Sequence, residues 1–310
     1  MGIKKTVIIT AKVHEHLSSA LAKKGYDIRY VPQVSYDELY EMGDEATGLI
    51  VTTRLPIDKK LIDRAVQLKW IGRLGSGMEL IDVEYAESKG ITCVNSPEGN
   101  RTAVAEHALG MLLSLLHRIN SSYEEVRSGK WLREENRGEE LTGKTVGIIG
   151  FGNTGAAFAK LLASFDNSVL IYDKYKFGFS SQYIKEATLD QVCRHADVIS
   201  FHVPLTPETF HMADSTFFGL LQQKPIIINT ARGGVIEISA LKEAIKKEKV
   251  SGVALDVFEH EQTGDLPQIG KENMDFLLGQ KNVLLTPHIA GYSHQAFYRM
   301  GQVILEKLGI

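Results

Sequence analysis

The sequence predicts an α/β protein of two domains, each built on a parallel sheet. Three observations carry this. Apolar strand-like runs alternate with helix-like segments from the first residues onward, the pattern of a parallel sheet with helices on both faces. A Gly-x-Gly-x-x-Gly turn, made by Gly150, Gly152 and Gly155, follows a short apolar run and opens a helix-like segment. That turn arrives only after a complete series of strands and helices, so the residues before it form a domain of their own. A chain of 310 residues is long enough for two cores.

The elements can be justified in order. Residues 6–9, 28–31, 48–51, 70–74 and 91–94 are short runs rich in Val, Ile and Leu and read as strands. Between them, 15–24 and 59–67 have helical spacing and charge. One long helix is predicted over 102–127. Its centre, Ala103 to Leu113, is apolar almost all round, which suits a helix buried between domains or subunits, or one facing the core of a single subunit. The second domain opens with the strand 145–149 and the glycine turn. It continues through a strand at 169–172 that ends in Asp173, and through strands near 197–201, 225–229, 250–255 and 283–285. Residues 259–281 are polar and contain glycine; they are predicted as a long functional or mobile loop. The last segment, 293–308, has helical periodicity, and its return to the first domain would split that domain in sequence.

Bulk composition narrows the function. The chain is 44% apolar and 24% charged with a formal charge of −3 and no basic block, which argues against nucleic acid as the main partner. The longest apolar run, near 108–116, is too short to span a bilayer. The basic start leads directly into a strand-like segment without a cleavage signal. Cys93 and Cys193 share no metal or redox spacing and read as free thiols of a reducing compartment, the cytoplasm.

The glycine turn carries chemistry of its own. Gly150 permits the tight turn, Gly152 lets backbone approach a pyrophosphate, and Gly155 lets helix and strand pack closely. The helix start offers unpaired N–H groups and a positive dipole end to phosphates. Asp173 follows about 20 residues later, where a carboxylate can accept the ribose hydroxyls of an adenosine. Together these point to a dinucleotide.

Three further strand ends carry polar residues where open α/β sheets place ligands. In Asn229-Thr230-Ala231-Arg232-Gly233-Gly234, Arg232 fits a bidentate carboxylate clamp, or a surface arginine at a helix start. In Asp256-Val257-Phe258-Glu259-His260-Glu261, three acids cluster; a solvated acidic loop would look the same. In Thr286-Pro287-His288, a lone histidine after a strand is more often structural than catalytic.

Taken together these segments resemble the D-isomer-specific 2-hydroxyacid dehydrogenases over nearly the whole chain. The resemblance includes Leu74-Gly75-Ser76-Gly77, the glycine turn, His202-Val203-Pro204-Leu205-Thr206-Pro207-Glu208-Thr209, the arginine and acidic segments, and Pro287-His288. Glu98-Gly99-Asn100-Arg101 and Trp131-Leu132-Arg133 look most like short bacterial phosphoglycerate dehydrogenase-type members. The resemblance implies two Rossmann- or flavodoxin-like domains with the active site in the interdomain cleft. Residues 1–97 plus 289–310 would bind substrate and 98–288 would bind NAD. His288 would be the general acid/base, Glu261 its paired acid, and Arg232 the group that orients the keto acid. A carboxylate beside an imidazole raises its pKa and holds its tautomer. Ser76 and Gly77, by their backbone N–H groups, and Asn100 would bind substrate with Arg232 and His288. The cofactor would lie along Gly150, Gly152, Asn153, Thr154, Gly155, Asp173, Val203, Pro204, Thr209, Thr230, Ala231, Arg232, Asp256, His288 and Gly291. The helix after Thr102 would form a homodimer interface. Gln262, where the family often has proline, departs from the pattern.

What the resemblance implies for activity is hydride transfer between NAD(H) and a D-2-hydroxy acid or its 2-keto acid, without a metal. Oxidation of 3-phosphoglycerate, toward serine biosynthesis, leads, and hydroxypyruvate or glyoxylate reduction follows. A third reading is a dinucleotide-sensing corepressor-like binding protein, which can keep the same residues. Arg54, Arg73 and Arg101 are the candidate partners of a substrate phosphate; solvated or ion-paired arginines fit the sequence equally well. Regulation through an appended domain after Ile310 is not expected.

Overall fold

The computed structural model describes residues 5–259, 261 and 267–310. The chain divides into two compact units, one drawn from residues up to Arg101 together with Gly291–Ile310, the other from Thr102–Ala290.

The first unit is built on five parallel strands: β1 (Thr6–Ile9), β2 (Asp27–Tyr30), β3 (Ala46–Val51), β4 (Trp70–Arg73) and β5 (Thr92–Asn95), in the order β2-β1-β3-β4-β5. Alternate side chains of a strand leave opposite faces, and two cores result. Ile8, Leu49, Val51 and Ile71 enter one; Val7, Ile9, Ile50 and Trp70 enter the other. Helices α1 (Glu15–Lys23), α2 (Tyr36–Glu41), α3 (Lys59–Arg64) and α4 (Val83–Ser88) connect these strands. Acid and hydroxyl caps start the short ones: Asp58 accepts from Leu61 N at 3.0 Å and Asp82 from Tyr85 N at 3.1 Å.

The second unit takes in most of α5 (Pro97–Leu116) and all of α6 (Ile119–Arg127) before its sheet begins. Its seven parallel strands are β6 (Thr145–Ile149), β7 (Ser168–Tyr172), β8 (Ile184–Glu186), β9 (Val198–Phe201), β10 (Ile226–Asn229), β11 (Gly252–Leu255) and β12 (Val283–Leu285). They run in the order β12-β11-β10-β9-β6-β7-β8. Chain direction across the sheet reverses at β6, which has β7 on one side and β9 on the other. That reversal leaves a crevice beyond the carboxyl ends of β6 and β9, where doubly wound sheets bind ligands. Helices α7 (Asn153–Leu162), α8 (Leu189–His195), α9 (Ser215–Leu220), α10 (Ile238–Lys246) and α11 (Gln268–Leu278) cover it. The last helix, α12 (His294–Leu308), belongs to the first unit, where Ile304 and Leu305 join the core of Val7, Ile9 and Ile50.

Two sequence expectations need correction. The predicted helix over 102–127 is two helices. α5 begins earlier, at Pro97, whose fixed φ suits a first turn. It ends at Leu116, where Arg118 turns left-handed (φ 53°) and Glu139 N–H takes the Leu116 carbonyl at 2.9 Å. Buried Ala105, Ala108, Met111, Leu112 and Leu116 pack α5 into the second unit's core, whereas α6 buries no residue. The predicted loop over 259–281 contains α11. Its buried positions are Gly270, Asn273 and Leu277, so the inward face carries little of the apolar period that marks a helix.

Candidate active site

The crevice at the end of β6 is shaped by glycine. Gly150 (φ 97°) donates its N–H to Tyr172 O at 2.8 Å, and a Cβ there would sit 2.6 Å from the His202 carbonyl. A Cβ on Gly155 would lie 2.0 Å from the Gly150 carbonyl, so no other residue fits against the turn. Gly152 differs: a Cβ there would meet open space. Among the described residues none crowds that position, so the backbone there is open to a group approaching from outside. Gly152 precedes α7 without a side-chain cap, leaving Asn153, Thr154 and Gly155 at a helix start of positive potential. Asp173 closes the crevice opposite. Its carboxylate accepts from Phe151 N at 2.7 Å, Tyr175 N at 2.9 Å and Lys176 N at 3.0 Å, and is thereby locked beside the glycine turn. The neighbouring lysines are engaged. Lys174 Nζ lies 2.7 Å from Glu208, which Tyr175 OH also meets, and Lys176 Nζ donates to Phe151 O at 2.8 Å. On the β9 side, Thr209 Oγ1 donates to Pro204 O at 2.6 Å and accepts from Thr206 N at 2.8 Å, folding the loop that begins at Val203. An open, uncapped helix start with a fixed carboxylate beside it fits a dinucleotide.

His202 lies beneath this turn. Its Nε2 is 2.9 Å from Ser200 Oγ and its Nδ1 3.3 Å from Thr154 Oγ1, linking β9 to the start of α7. Burial holds the imidazole neutral, pushing its pKa from 6.5 down to about 3. The unfolded chain therefore takes up a proton near pH 6.5 that the folded chain refuses until about pH 3. The stability this histidine contributes is present above pH 6.5 and falls as pH drops through that window, by about 3 kcal/mol at pH 4. A His202→Asn variant is expected to lose Tm less steeply than the parent between pH 6.5 and 4. Parallel Tm–pH curves for the two proteins would contradict this.

Three strand ends further along the sheet carry the other candidates. At β10, buried Asn229 accepts from Ala231 N at 2.9 Å and donates to Arg232 O at 2.9 Å, forming the turn that presents Arg232. Arg232 Nη1 donates to Ala231 O at 2.7 Å, anchoring one end of the guanidinium. Among the described residues the buried Thr230 hydroxyl has no hydrogen-bond partner. At β11, Asp256 is 1% exposed; its carboxylate accepts from Thr286 Oγ1 at 2.6 Å and from the N–H groups of Ile289 and Ala290, each at 2.8 Å. At β12, His288 adopts a left-handed backbone (φ 56°) and donates its N–H to Asp256 O at 2.8 Å. Its Nδ1 lies 2.6 Å from Glu261 Oε1, while Glu261 Oε2 accepts from Phe258 N at 3.0 Å. An ionised carboxylate only accepts, so Nδ1 carries the proton and Nε2 is the nitrogen that can exchange one. Residues 260 and 262–266, which include the sequence departure at Gln262, lie outside the described residues.

In the first unit, Gly75 O accepts from Ser96 N at 2.8 Å and Ser76 O from Asn95 Nδ2 at 2.6 Å. In a trans peptide the N–H opposes the C=O, so the N–H groups of Ser76 and Gly77 both point away from this strand end. Ser76 Oγ lies 3.4 Å from Asn100 Oδ1, and a Cβ on Gly291 would sit 3.0 Å from Asn100 Nδ2. The three candidate arginines prove unlike. Arg73 is 7% exposed and folds under Gly75 to reach Leu74 O at 2.7 Å. Arg54 spans Thr10 O at 3.1 Å and Val34 O at 2.6 Å. Arg101 is exposed.

Comparison with known proteins places this geometry. Residues 109–290 match the family described as D-isomer specific 2-hydroxyacid dehydrogenase, NAD binding domain. A hydroxypyruvate reductase of Thermotoga maritima is 36% identical over 272 residues, covering 88% of this chain and 87% of the relative. The chain is a D-2-hydroxyacid dehydrogenase family member. A D-3-phosphoglycerate dehydrogenase of Methanocaldococcus jannaschii is 34% identical over 305 residues, 97% of this chain. The chain spans 56% of that relative's length. In structure, the D-lactate dehydrogenase of Aquifex aeolicus, solved with NAD and lactic acid, superposes with a TM-score of 0.84 at 28% identity, covering 98% of this chain and 94% of that one.

NAD is the cofactor of this family's second unit, and the glycine turn and Asp173 are the features that would hold it. Several residues that shape this site carry no role in the sequence reading: Asn229, Thr286, Glu208, Ser200 and His107. The detectable hint was His107, a histidine in the largely apolar centre of the helix, Ala103 to Leu113. Burial pushes the Cys93 and Cys193 thiols up to about 11, so neither is a thiolate nucleophile at neutral pH. Among the described residues, no helix is long and apolar enough to cross a membrane.

Proposed function

We propose that the protein interconverts a D-2-hydroxy acid and its 2-keto acid by hydride transfer with NAD(H). The observation that carries this is the pair of His288 Nδ1 and Glu261 Oε1 at 2.6 Å, in the same unit as the dinucleotide turn. NADH held at the glycine turn and Asp173 would supply the hydride for the keto carbon. His288 Nε2 gives a proton to the carbonyl oxygen, and Glu261 stabilises the doubly protonated ring that precedes this step. Arg232 takes the substrate carboxylate and polarises the adjacent carbonyl. Asp256 fixes the backbone that carries His288.

As substrate pair we put 3-phosphoglycerate and 3-phosphohydroxypyruvate first, supported by the likeness to the Methanocaldococcus jannaschii relative and by the exposed Arg101. The burial of Arg73 and the two carbonyls held by Arg54 favour a second reading, reduction of hydroxypyruvate or glyoxylate. The deciding experiment assays 2-keto acids with NADH. A large advantage for 3-phosphohydroxypyruvate that shrinks as salt rises supports the first reading; equal efficiency with hydroxypyruvate supports the second. Absence of turnover with every 2-keto acid would overturn the enzymatic proposal in favour of a dinucleotide-sensing binding protein.

Preference for NAD(H) over NADP(H) follows from Asp173. A 2′-phosphate about 4 Å from this carboxylate meets repulsion on the order of 4 kcal/mol per unit charge pair before solvent screening, at an effective dielectric near 20. Lys174 and Lys176, the cations that would offset it, already hold Glu208 and the Phe151 carbonyl. Measured kcat/KM is expected to favour NADH over NADPH by at least about tenfold; equal values would contradict the assignment of Asp173.

We assign substrate binding to the first unit, and a homodimer contact to α5 and α6. Ile119, Tyr123 and Val126 form an exposed apolar stripe on α6, and Trp131 beyond it is 84% exposed. Cytoplasmic residence is proposed on the free Cys93 and Cys193 thiols.

A further inference from the structure

His107 has no part in the chemistry above. It lies on α5 between residues that fill the second unit's core, Ala105 and Ala108. Its Nε2 is 3.0 Å from Thr286 Oγ1 and 3.6 Å from Asp256 Oδ1. Thr286 Oγ1 is itself 2.6 Å from the same Asp256 oxygen.

The donor directions in this cluster follow from what each group can do. A carboxylate only accepts, so the single proton of the Thr286 hydroxyl goes to Asp256. The Met111 sulfur, 3.8 Å from the same hydroxyl, is a weaker acceptor at longer range and does not compete. The hydroxyl's lone pair is then left to accept, and the group facing it is His107 Nε2, which must carry a proton. The result is a directed chain, His107 Nε2–H to Thr286 O–H to Asp256.

Asp256 is the inner end of that chain and the fixed point of the next loop. Its two carboxylate oxygens hold Ile289 N–H and Ala290 N–H, and its backbone carbonyl holds His288 N–H. Between these bonds His288 sits in the left-handed region, a conformation disfavoured for a residue with a Cβ and kept only where the surroundings impose it. Asp256 therefore sets the backbone from which the His288 imidazole projects, while Glu261 holds the ring at Nδ1.

We propose that His107 is a positioning residue for the hydride-transfer reaction, acting through Thr286 and Asp256 on the backbone that aims His288. This rests on the reading of His288 as the acid/base. In this role His107 takes no part in the proton transfer itself; it orients the group that does.

The test compares His107→Leu, which keeps bulk and removes the donor, with His107→Gln, whose amide nitrogen can restore it. Amide hydrogen exchange of the apo protein is read at Ile289 and Ala290, with Val146 and Ile148 of β6 reporting global opening. In His107→Leu, exchange at Ile289 and Ala290 is expected to speed up about tenfold while β6 is unchanged, and in His107→Gln to return within about twofold of the parent. Turnover of the best 2-keto acid is expected to fall about five- to twentyfold in His107→Leu, with KM and the NADH Kd nearly unchanged, and to recover in His107→Gln. Parental exchange at Ile289 and Ala290 in His107→Leu would overturn the proposal. So would equal acceleration in β6 that glutamine fails to reverse, which would make His107 a packing residue. A parent protein that turns over no 2-keto acid would defeat the functional reading alone, and the exchange comparison would still decide this one.

Discussion

Replacing His288 with alanine is expected to lower kcat by about 10²–10⁴-fold, the usual contribution of a positioned general acid/base. NADH affinity should change little, because the phosphate and ribose features lie at the other strand ends, around Gly152 and Asp173. The geometry makes the loss specific to proton transfer. Glu261 holds Nδ1 at 2.6 Å, and Phe258 N–H holds the other Glu261 oxygen at 3.0 Å, so the ring has a fixed tautomer with Nε2 left to act. Glu261→Gln keeps the shape and removes the charge. It should reduce turnover by less than the alanine change at His288, since the ring keeps its place but loses its anionic partner. Steady-state kinetics over pH, with NADH binding measured separately by fluorescence, checks both. Unchanged kcat in His288→Ala would remove this histidine from the chemistry.

Much of this was legible in the sequence because it depends on local pattern. β9 and β10 are buried throughout and β6 at every position but Thr145, and strands buried on both faces appear as nearly continuous apolar runs. Gly150 and Gly155 report backbone constraints that only glycine meets, and their spacing survives in any reading of the chain. β8 was not legible, being three residues at a sheet edge with two of them exposed. Nor was α11, whose inward positions include Gly270 and Asn273. The break between α5 and α6 depends on Glu139 reaching back to Leu116, a contact that no helical period records. The site divides the same way. His288 and Glu261 stand in recognisable segments, but the hydrogen bonds that orient them join residues far apart in sequence. His107 and Thr286 are separated by 179 positions, Asp256 and Thr286 by 30. The arginines show the converse: Arg54 and Arg73 are cations in the sequence, and only the fold reveals that backbone carbonyls occupy them.

Arg232→Lys is expected to be severely impaired although the charge is kept. Arg232 anchors Nη1 on the Ala231 carbonyl at 2.7 Å, and the Asn229 side chain fixes the turn around it. A planar guanidinium can hold such an anchor at one nitrogen while offering a fork of two parallel N–H groups to a carboxylate. A lysine ammonium gathers its donors at one atom. It can satisfy the Ala231 carbonyl or approach the substrate, and in neither position does it reproduce the fork. Each charge-assisted hydrogen bond lost in the transition state is worth roughly 1.5–3 kcal/mol, so kcat/KM should fall by about 10- to 10²-fold or more in Arg232→Lys, and further in Arg232→Ala. If Arg232 also polarises the keto oxygen, kcat falls along with kcat/KM; if it only holds the carboxylate, the loss is carried by KM. The two outcomes separate its roles in one experiment. A lysine variant with parental kcat/KM would show that the carboxylate is held elsewhere, and that Arg232 serves the Asn229 turn alone.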